Sequence, residues 1–233
     1  MNWIITFLTS SIGQKIIMSL TGLFLITFLV VHLVGNLQLL YDDGGMAYNL
    51  YADFMTSNPL IKTISIGLYA FIVIHIVQGL ILWVRNRQAR GSRYAVKVTR
   101  ATQTNSFTAR NMAILGTIIM VFLAIHLYQF WFKMKMGVLE PVGYDGMDYA
   151  VKDLYAPVAV AFSNIFFVLF YVVSMIVIAM HLWHGFQSAF QTLGLNHPKY
   201  TPVIQAVGKL YSILIPLGFA IIPIYFYIFK NIN

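Results

Sequence analysis

The chain of 233 residues contains no cysteine. That excludes a thiolate-ligated iron–sulfur cluster, a structural disulfide and covalent attachment of a c-type haem. Charge is scarce as well. Only 9% of the residues are Asp, Glu, Lys or Arg, against about 25% in soluble domains. No Gly-rich phosphate loop, GxSxG or His-Glu-x-x-His occurs, so a P-loop nucleotide site, a serine-hydrolase elbow and a zinc-protease helix have no support. Internal repeats and low-complexity tracts are lacking too. What is abundant is apolar: 59% of the chain, gathered into long runs. Long runs point to membrane spans rather than a large soluble core.

The runs predict an all-α fold, an integral membrane bundle of five transmembrane helices forming one domain over residues 1–233. The expected spans are about 13–40, 58–85, 109–132, 157–190 and 202–229. Thr9, Ser10 or Ser11 can cap the first. Pro59 suits the opening turn of the second. The fourth is read as starting at Pro157, and Pro216 and Pro223 predict kinks in the fifth. No short apolar stretch ending in a small-residue cleavage site precedes the first span, so insertion by the chain's own helices is expected. The loops at about 41–57 and 133–156 are too short to be domains.

Charge predicts the orientation. Arg85, Arg87, Arg90, Arg93, Lys97, Arg100 and Arg110 cluster between the second and third spans. By the positive-inside rule this loop is cytoplasmic, which puts the N-terminus inside and the C-terminus outside. All the acids fall in the two other loops: Asp42, Asp43 and Asp53, then Glu140, Asp145, Asp148 and Asp153. The net charge of +8 does not argue for nucleic acid, because the basic loop borders two spans. It suits anionic lipid headgroups or a docked soluble partner.

Four histidines lie deep inside four different spans: His32, His75, His126 and His181. An ionisable side chain at membrane depth is costly and marks a functional site by default. At ~1.5 Å per residue, His32 and His126 lie roughly 24 and 21 Å from the cytoplasmic face, and His75 and His181 roughly 12 and 14 Å from it. The depths select two pairs, His75 with His181 and His32 with His126, in layers ~10 Å apart. Two pairs of imidazoles suit two haems with two axial ligands each. Polar glue between helices is the alternative for any one histidine. Zinc fits less well, since it collects its ligands at one depth and no acid lies in any span.

Neighbouring residues extend the reading. Gly79 follows His75 by four, Gly185 follows His181 by four, and Gly35 follows His32 by three. At those spacings a glycine shares the ligand's helix face and leaves room for a flat macrocycle; ordinary small-residue helix packing gives the same pattern. His184 competes with His181 for the ligand role, and the His-x-x-x-Gly spacing favours His181. His184 then meets a haem propionate, a quinone oxygen or water. Lys15, Arg85 and Arg87 snorkel to headgroups by default and are placed to neutralise propionates of the inner haem. Ser19 and Thr21 face the interior or bond their own backbone. Trp3, Trp83 and Trp131 read as interface belts, and His197 as a surface or capping residue.

With these residues in place, the chain resembles the di-haem cytochrome b membrane anchor of succinate:quinone oxidoreductases and quinol:fumarate reductases (complex II), in the single-polypeptide, five-helix form. The resemblance covers nearly the whole chain. It rests on Ser19-Leu20-Thr21-Gly22 leading to His32-Leu33, on His75 and Arg85, on His126-Leu127-Tyr128, and on His181-Leu182-Trp183-His184-Gly185-Phe186 through Leu193-Gly194. It implies two b haems ligated by His32, His75, His126 and His181, with the same pairing. It implies an iron–sulfur subunit and a flavoprotein on the cytoplasmic side, a membrane quinone (menaquinone first) and residence in the bacterial cytoplasmic membrane. Succinate–fumarate chemistry would belong to the flavoprotein, and electron transfer and the quinone reaction to this chain. Some relatives carry a quinone-site acid near the outer end of the second helix. The nearest acid here is Asp53, which leaves an outer site and a site near the inner haem both open. Two other readings remain: a di-haem anchor of a hydrogenase or formate dehydrogenase, and a haem-free scaffold or transporter.

Overall fold

The computed structural model describes residues 2–89 and 107–230. Arg90, Arg93, Lys97 and Arg100 of the basic loop lie outside the described residues. The chain is largely helical. In order it forms α1 (Trp3–Thr9), α2 (Ser11–Leu37) with a 3-10 turn (Gln38–Leu40), α3 (Met46–Ser57), α4 (Pro59–Ala89) and α5 (Phe107–Arg110). Then come α6 (Met112–His126), a π turn (Leu127–Phe132), α7 (Lys133–Lys135), β1 (Pro141–Val142), β2 (Val151–Lys152) and α8 (Tyr155–Phe162). Last are α9 (Ile165–Thr192), α10 (Thr201–Tyr225) and a second π turn (Phe226–Lys230).

Five helical stretches are long and apolar enough to cross a bilayer: Ser11–Leu40, Pro59–Ala89, Met112–Lys135, Ile165–Thr192 and Thr201–Lys230. A span needs ~20 residues. Their boundaries follow from local chemistry. Ser10 takes extended backbone and its Oγ accepts from the Gly13 amide at 3.0 Å, so α2 starts there. Asn58 Oδ1 accepts from the Leu60 and Ile61 amides at 3.0 and 3.3 Å, and Pro59 opens α4 without an amide to satisfy. The helix α9 ends in a glycine cap. Gly194 has φ +80°, its amide reaches Gln191 O at 3.1 Å, and the Leu195 amide reaches Phe190 O at 3.0 Å.

The fourth span corrects the expectation. It begins at Ile165, not Pro157. Residues Tyr155–Phe162 form the separate short helix α8, and Asn164 turns extended (φ −96°, ψ 119°) while its side chain caps Phe166 N at 2.9 Å. Asn offers its backbone this local alternative to helix, so the chain breaks there despite apolar residues on both sides. The second span runs four residues past its expected end, to Ala89, and the third opens at Met112 after Asn111 interrupts the helical path at φ −106°, ψ 11°. The fifth helix continues through both Pro216 and Pro223.

Helix α2 packs against α4, α9 and α10; α6 packs against α9 and α4; and α10 lies along α9. The cluster of α2, α4, α6 and α9 therefore carries one deep histidine on each helix, with α10 flanking it. The tightest core sits at the end of the bundle where α2 finishes, built from Leu39, Phe122, Phe162, Tyr171, Ile222 and Phe226. By contrast, α4 contains no buried residue.

The same end is closed by an asparagine clamp. Asn49 of α3 is 1% exposed. Its amide donates to Tyr144 OH (2.8 Å) and Asp153 Oδ1 (3.0 Å), and its carbonyl accepts from the Leu154 and Tyr155 amides (2.9 and 3.0 Å). The clamp joins α3 to the loop holding the antiparallel β1–β2 pair.

Candidate metal centre

Two histidine pairs face each other across the helix cluster. The ring centroids of His32 and His126 are 5.9 Å apart, with planes at 86°. Those of His75 and His181 are 6.4 Å apart, with planes at 65°. An imidazole nitrogen binds a transition metal at ~2.0 Å, so two imidazoles on opposite sides of one metal hold their centroids roughly 6 Å apart. Both pairs match that spacing. Neither is stacked ring on ring, and among the described residues no hydrogen bond joins the rings of either pair. All four residues are half-buried.

The outer nitrogens decide which tautomer each ring carries. Thr21 Oγ1 lies 3.2 Å from His75 Nδ1 and gives its own proton to Ile17 O at 2.8 Å. Its oxygen is left to accept, so His75 donates from Nδ1 and keeps the Nε2 lone pair free. This resolves the two roles open for Thr21: it bonds its backbone and serves the interior ring. Ser19 only returns to Lys15 O at 2.9 Å. Tyr171 OH lies 3.3 Å from His126 Nδ1 and donates to Gln129 Oε1 at 2.7 Å, which imposes the same tautomer on His126. At His32 the neighbour is Asn36, whose Nδ2 is 3.3 Å from Nδ1 and 2.7 Å from the His32 carbonyl. His181 Nδ1 is buried with no hydrogen-bond partner, as is Gln78 Oε1 one turn beyond His75. Second partners of this kind orient metal-bound imidazoles.

Glycines shape the surroundings of His75 and His181. A methyl group at Gly22 would sit 3.3 Å from His75 Cε1, and one at Gly116 would sit 3.9 Å from His181 Cε1. Gly79 and Gly185 instead face the mobile tips of Met18 (3.5 Å) and Met112 (4.0 Å). Gly35 corrects the expectation of an open face, because the Tyr51 ring from α3 fills that space. His32 and His126 sit in an aromatic box. Phe28 and Phe219 lie 5.2 and 5.4 Å from the His32 ring, and Phe122 and Phe130 lie 5.7 and 5.4 Å from the His126 ring.

The cations divide. Arg85 donates to Thr9 O (3.2 Å) and to buried Gln14 Oε1 (2.8 Å), fixing the corner between α1 and α2. Arg87 lies over Trp83 at 5.7 Å. Lys15 lines a cavity of about 300 Å³ with Ile12, Ser188, Gln191 and Thr192. His184 is half-buried, one turn beyond His181. His197 lies outside both pairs, its Nδ1 accepting from the Lys199 amide at 3.2 Å. At the other end of the bundle Asp53 lines a cavity of about 370 Å³ with Thr56, Ser57, Lys62, Lys135 and Lys152. Trp131 donates to Tyr69 OH at 2.7 Å.

The sequence reading passed over Tyr171, Gln129, Gln78 and Gly116. A signal for the polar ones was there: each deep histidine is followed three or four residues on by Asn36, Gln78, Gln129 or His184. Polar side chains are rare enough in spans for that repetition to be informative.

The fold and the two imidazole pairs define a class, a chain with five helices long and apolar enough to cross a membrane and two facing histidine pairs among them. Comparison with protein-family models, with curated proteins and with solved structures finds no match to this chain.

Proposed function

We propose that this chain is the di-haem cytochrome b membrane anchor of a succinate:quinone oxidoreductase or quinol:fumarate reductase. The observation that carries the proposal is the pairing of His32 with His126 and His75 with His181, each at the spacing of two imidazoles across one metal. The orphaned Nδ1 of His181, the tautomers imposed on His75 and His126, and the glycines beside the inner rings add support. His32 and His126 would hold the outer haem, and His75 and His181 the inner one.

When bound, each haem would supply a one-electron redox couple. The chain's own part is to present the unprotonated Nε2 atoms of His75 and His126, to hold those two rings through Thr21 and Tyr171, and to keep water from the outer pair with Phe28, Phe122, Phe130 and Phe219. Lys15 and His184 stand on the side where inner propionates or a quinone would need partners. In this reading the N-terminus is cytoplasmic and the C-terminus outside. The basic face docks an iron–sulfur subunit, which in turn binds the flavoprotein that performs the dicarboxylate chemistry. The electron partner in the membrane is a quinone, menaquinone first, and the membrane is the bacterial cytoplasmic membrane.

A dithionite-reduced minus oxidised spectrum of purified protein, with haem and protein quantified together, tests the proposal. Two b-type haems per chain are expected, and succinate should reduce them in the intact complex. Folded protein without haem bands would overturn the reading.

A further inference from the structure

Tyr171 is a phenol closed into an apolar helix cluster, 5% exposed. Its ring is held between Phe162 and Phe122, with centroids at 5.0 and 5.1 Å. The hydroxyl has one proton and gives it to Gln129 Oε1 at 2.7 Å. Gln129 stands in the π turn that begins directly after His126, so the turn's extra residue and the acceptor arrive together. Such turns inside helices concentrate at functional sites. With its proton committed, the Tyr171 oxygen can only accept from His126 Nδ1, 3.3 Å away. The inner ring His181 has no such partner.

We infer that Tyr171, locked by Gln129, is a positioning residue for the outer imidazole pair, fixing the His126 tautomer and lowering the reduction potential of the haem bound there. The inference rests on the haem reading above. An acceptor on the far N–H raises the basicity of the ligating imidazole. A more basic ligand stabilises the oxidised, more positive iron and so lowers the potential. The effect belongs to one haem, because the relay touches one pair.

The test is a redox titration of both haems in purified wild type, Tyr171→Phe and Gln129→Met. The outer haem is identified as the one missing from His126→Ala. Tyr171→Phe keeps the ring packing and removes only the hydroxyl. Losing such a partner of a metal-bound imidazole costs about tenfold or more in metal affinity, and a tenfold loss falling on the oxidised state alone is ~59 mV for one electron. The outer midpoint should rise by about that much, while the inner midpoint stays in place. Gln129→Met should move the outer midpoint the same way, and the double variant no further, since both residues act through one chain. Two haems with unmoved midpoints in Tyr171→Phe would overturn this inference and leave the haem reading standing. Wild type without haem would overturn both.

Discussion

At the scale of single residues the site is a matter of which nitrogen is free. His181 and His184 lie three residues apart on α9, but only His181 faces a partner ring, at 6.4 Å. His181→Ala should leave one haem per chain, whereas His184→Ala should keep two; a pyridine haemochrome assay against protein concentration separates them. The reverse result would exchange the two roles. Gly22 gives a second prediction. An added methyl group there would press within 3.3 Å of His75 Cε1, and larger side chains would go further. Gly22→Leu should displace that ring and lose the inner haem while the outer one stays. Which rings would face each other was legible beforehand, because helical rise converts sequence position into relative height along packed helices. The partners of each Nδ1 were not. Thr21 comes to His75 from α2, and Tyr171 to His126 from α9. Spacing along one helix carries no information about contacts made by another. Gly35 misled for the same reason, since Tyr51 arrives from a separate element.

At the scale of elements, hydropathy located five spans but missed the break before α9. An apolar run continues across it, and one asparagine side chain decides the matter. Loop structure was the least legible part, because the Asn49 clamp joins segments about a hundred residues apart. Asn49→Ala would leave the part-buried Tyr155 amide without an acceptor and the Leu154 amide with Lys152 O alone, at 3.1 Å. A buried group without a partner costs about 1–3 kcal/mol, and the variant should lower stability by about that much. Thermal unfolding in detergent measures this, and the chain between β1 and β2 should become more open to protease. A second tie at this end joins Lys230 to Asp42 at 2.6 Å. The hydrogen bond and the charge of Lys230 hold the Asp42 carboxyl below its ordinary range. A depressed folded-state value means that the tie contributes above the ordinary carboxylate range and is lost as pH falls through the depressed value. Asp42 is fully exposed, so the stability effect is small. The titration itself is the readout: by NMR, Lys230→Met should return Asp42 to the ordinary carboxylate range, and an unchanged midpoint would show that the tie does not form in solution.

At the scale of the whole molecule, charge separates along the bundle axis. Among the described residues every arginine, Arg85, Arg87 and Arg110, lies at the end where α2 begins and α4 finishes. The opposite end holds all 7 acids, which outnumber its lysines Lys62, Lys133, Lys135, Lys152 and Lys230. The arginine end should therefore face the cytoplasm, and there the shallower pair, His75 and His181, would stand nearest a soluble electron partner. The lack of cysteine makes this directly measurable, because any introduced thiol is the chain's only one. Gln88 at the end of α4 and Val138 after α7 are both exposed. In intact spheroplasts a membrane-impermeant maleimide should label Val138→Cys at once, and Gln88→Cys only after permeabilisation. The opposite order would place the arginine face outside, where a cytoplasmic iron–sulfur subunit could not reach it. The anchor proposal would then fail even if both haems were present, because two haems in the wrong orientation have no electron donor on the side where dicarboxylate chemistry occurs.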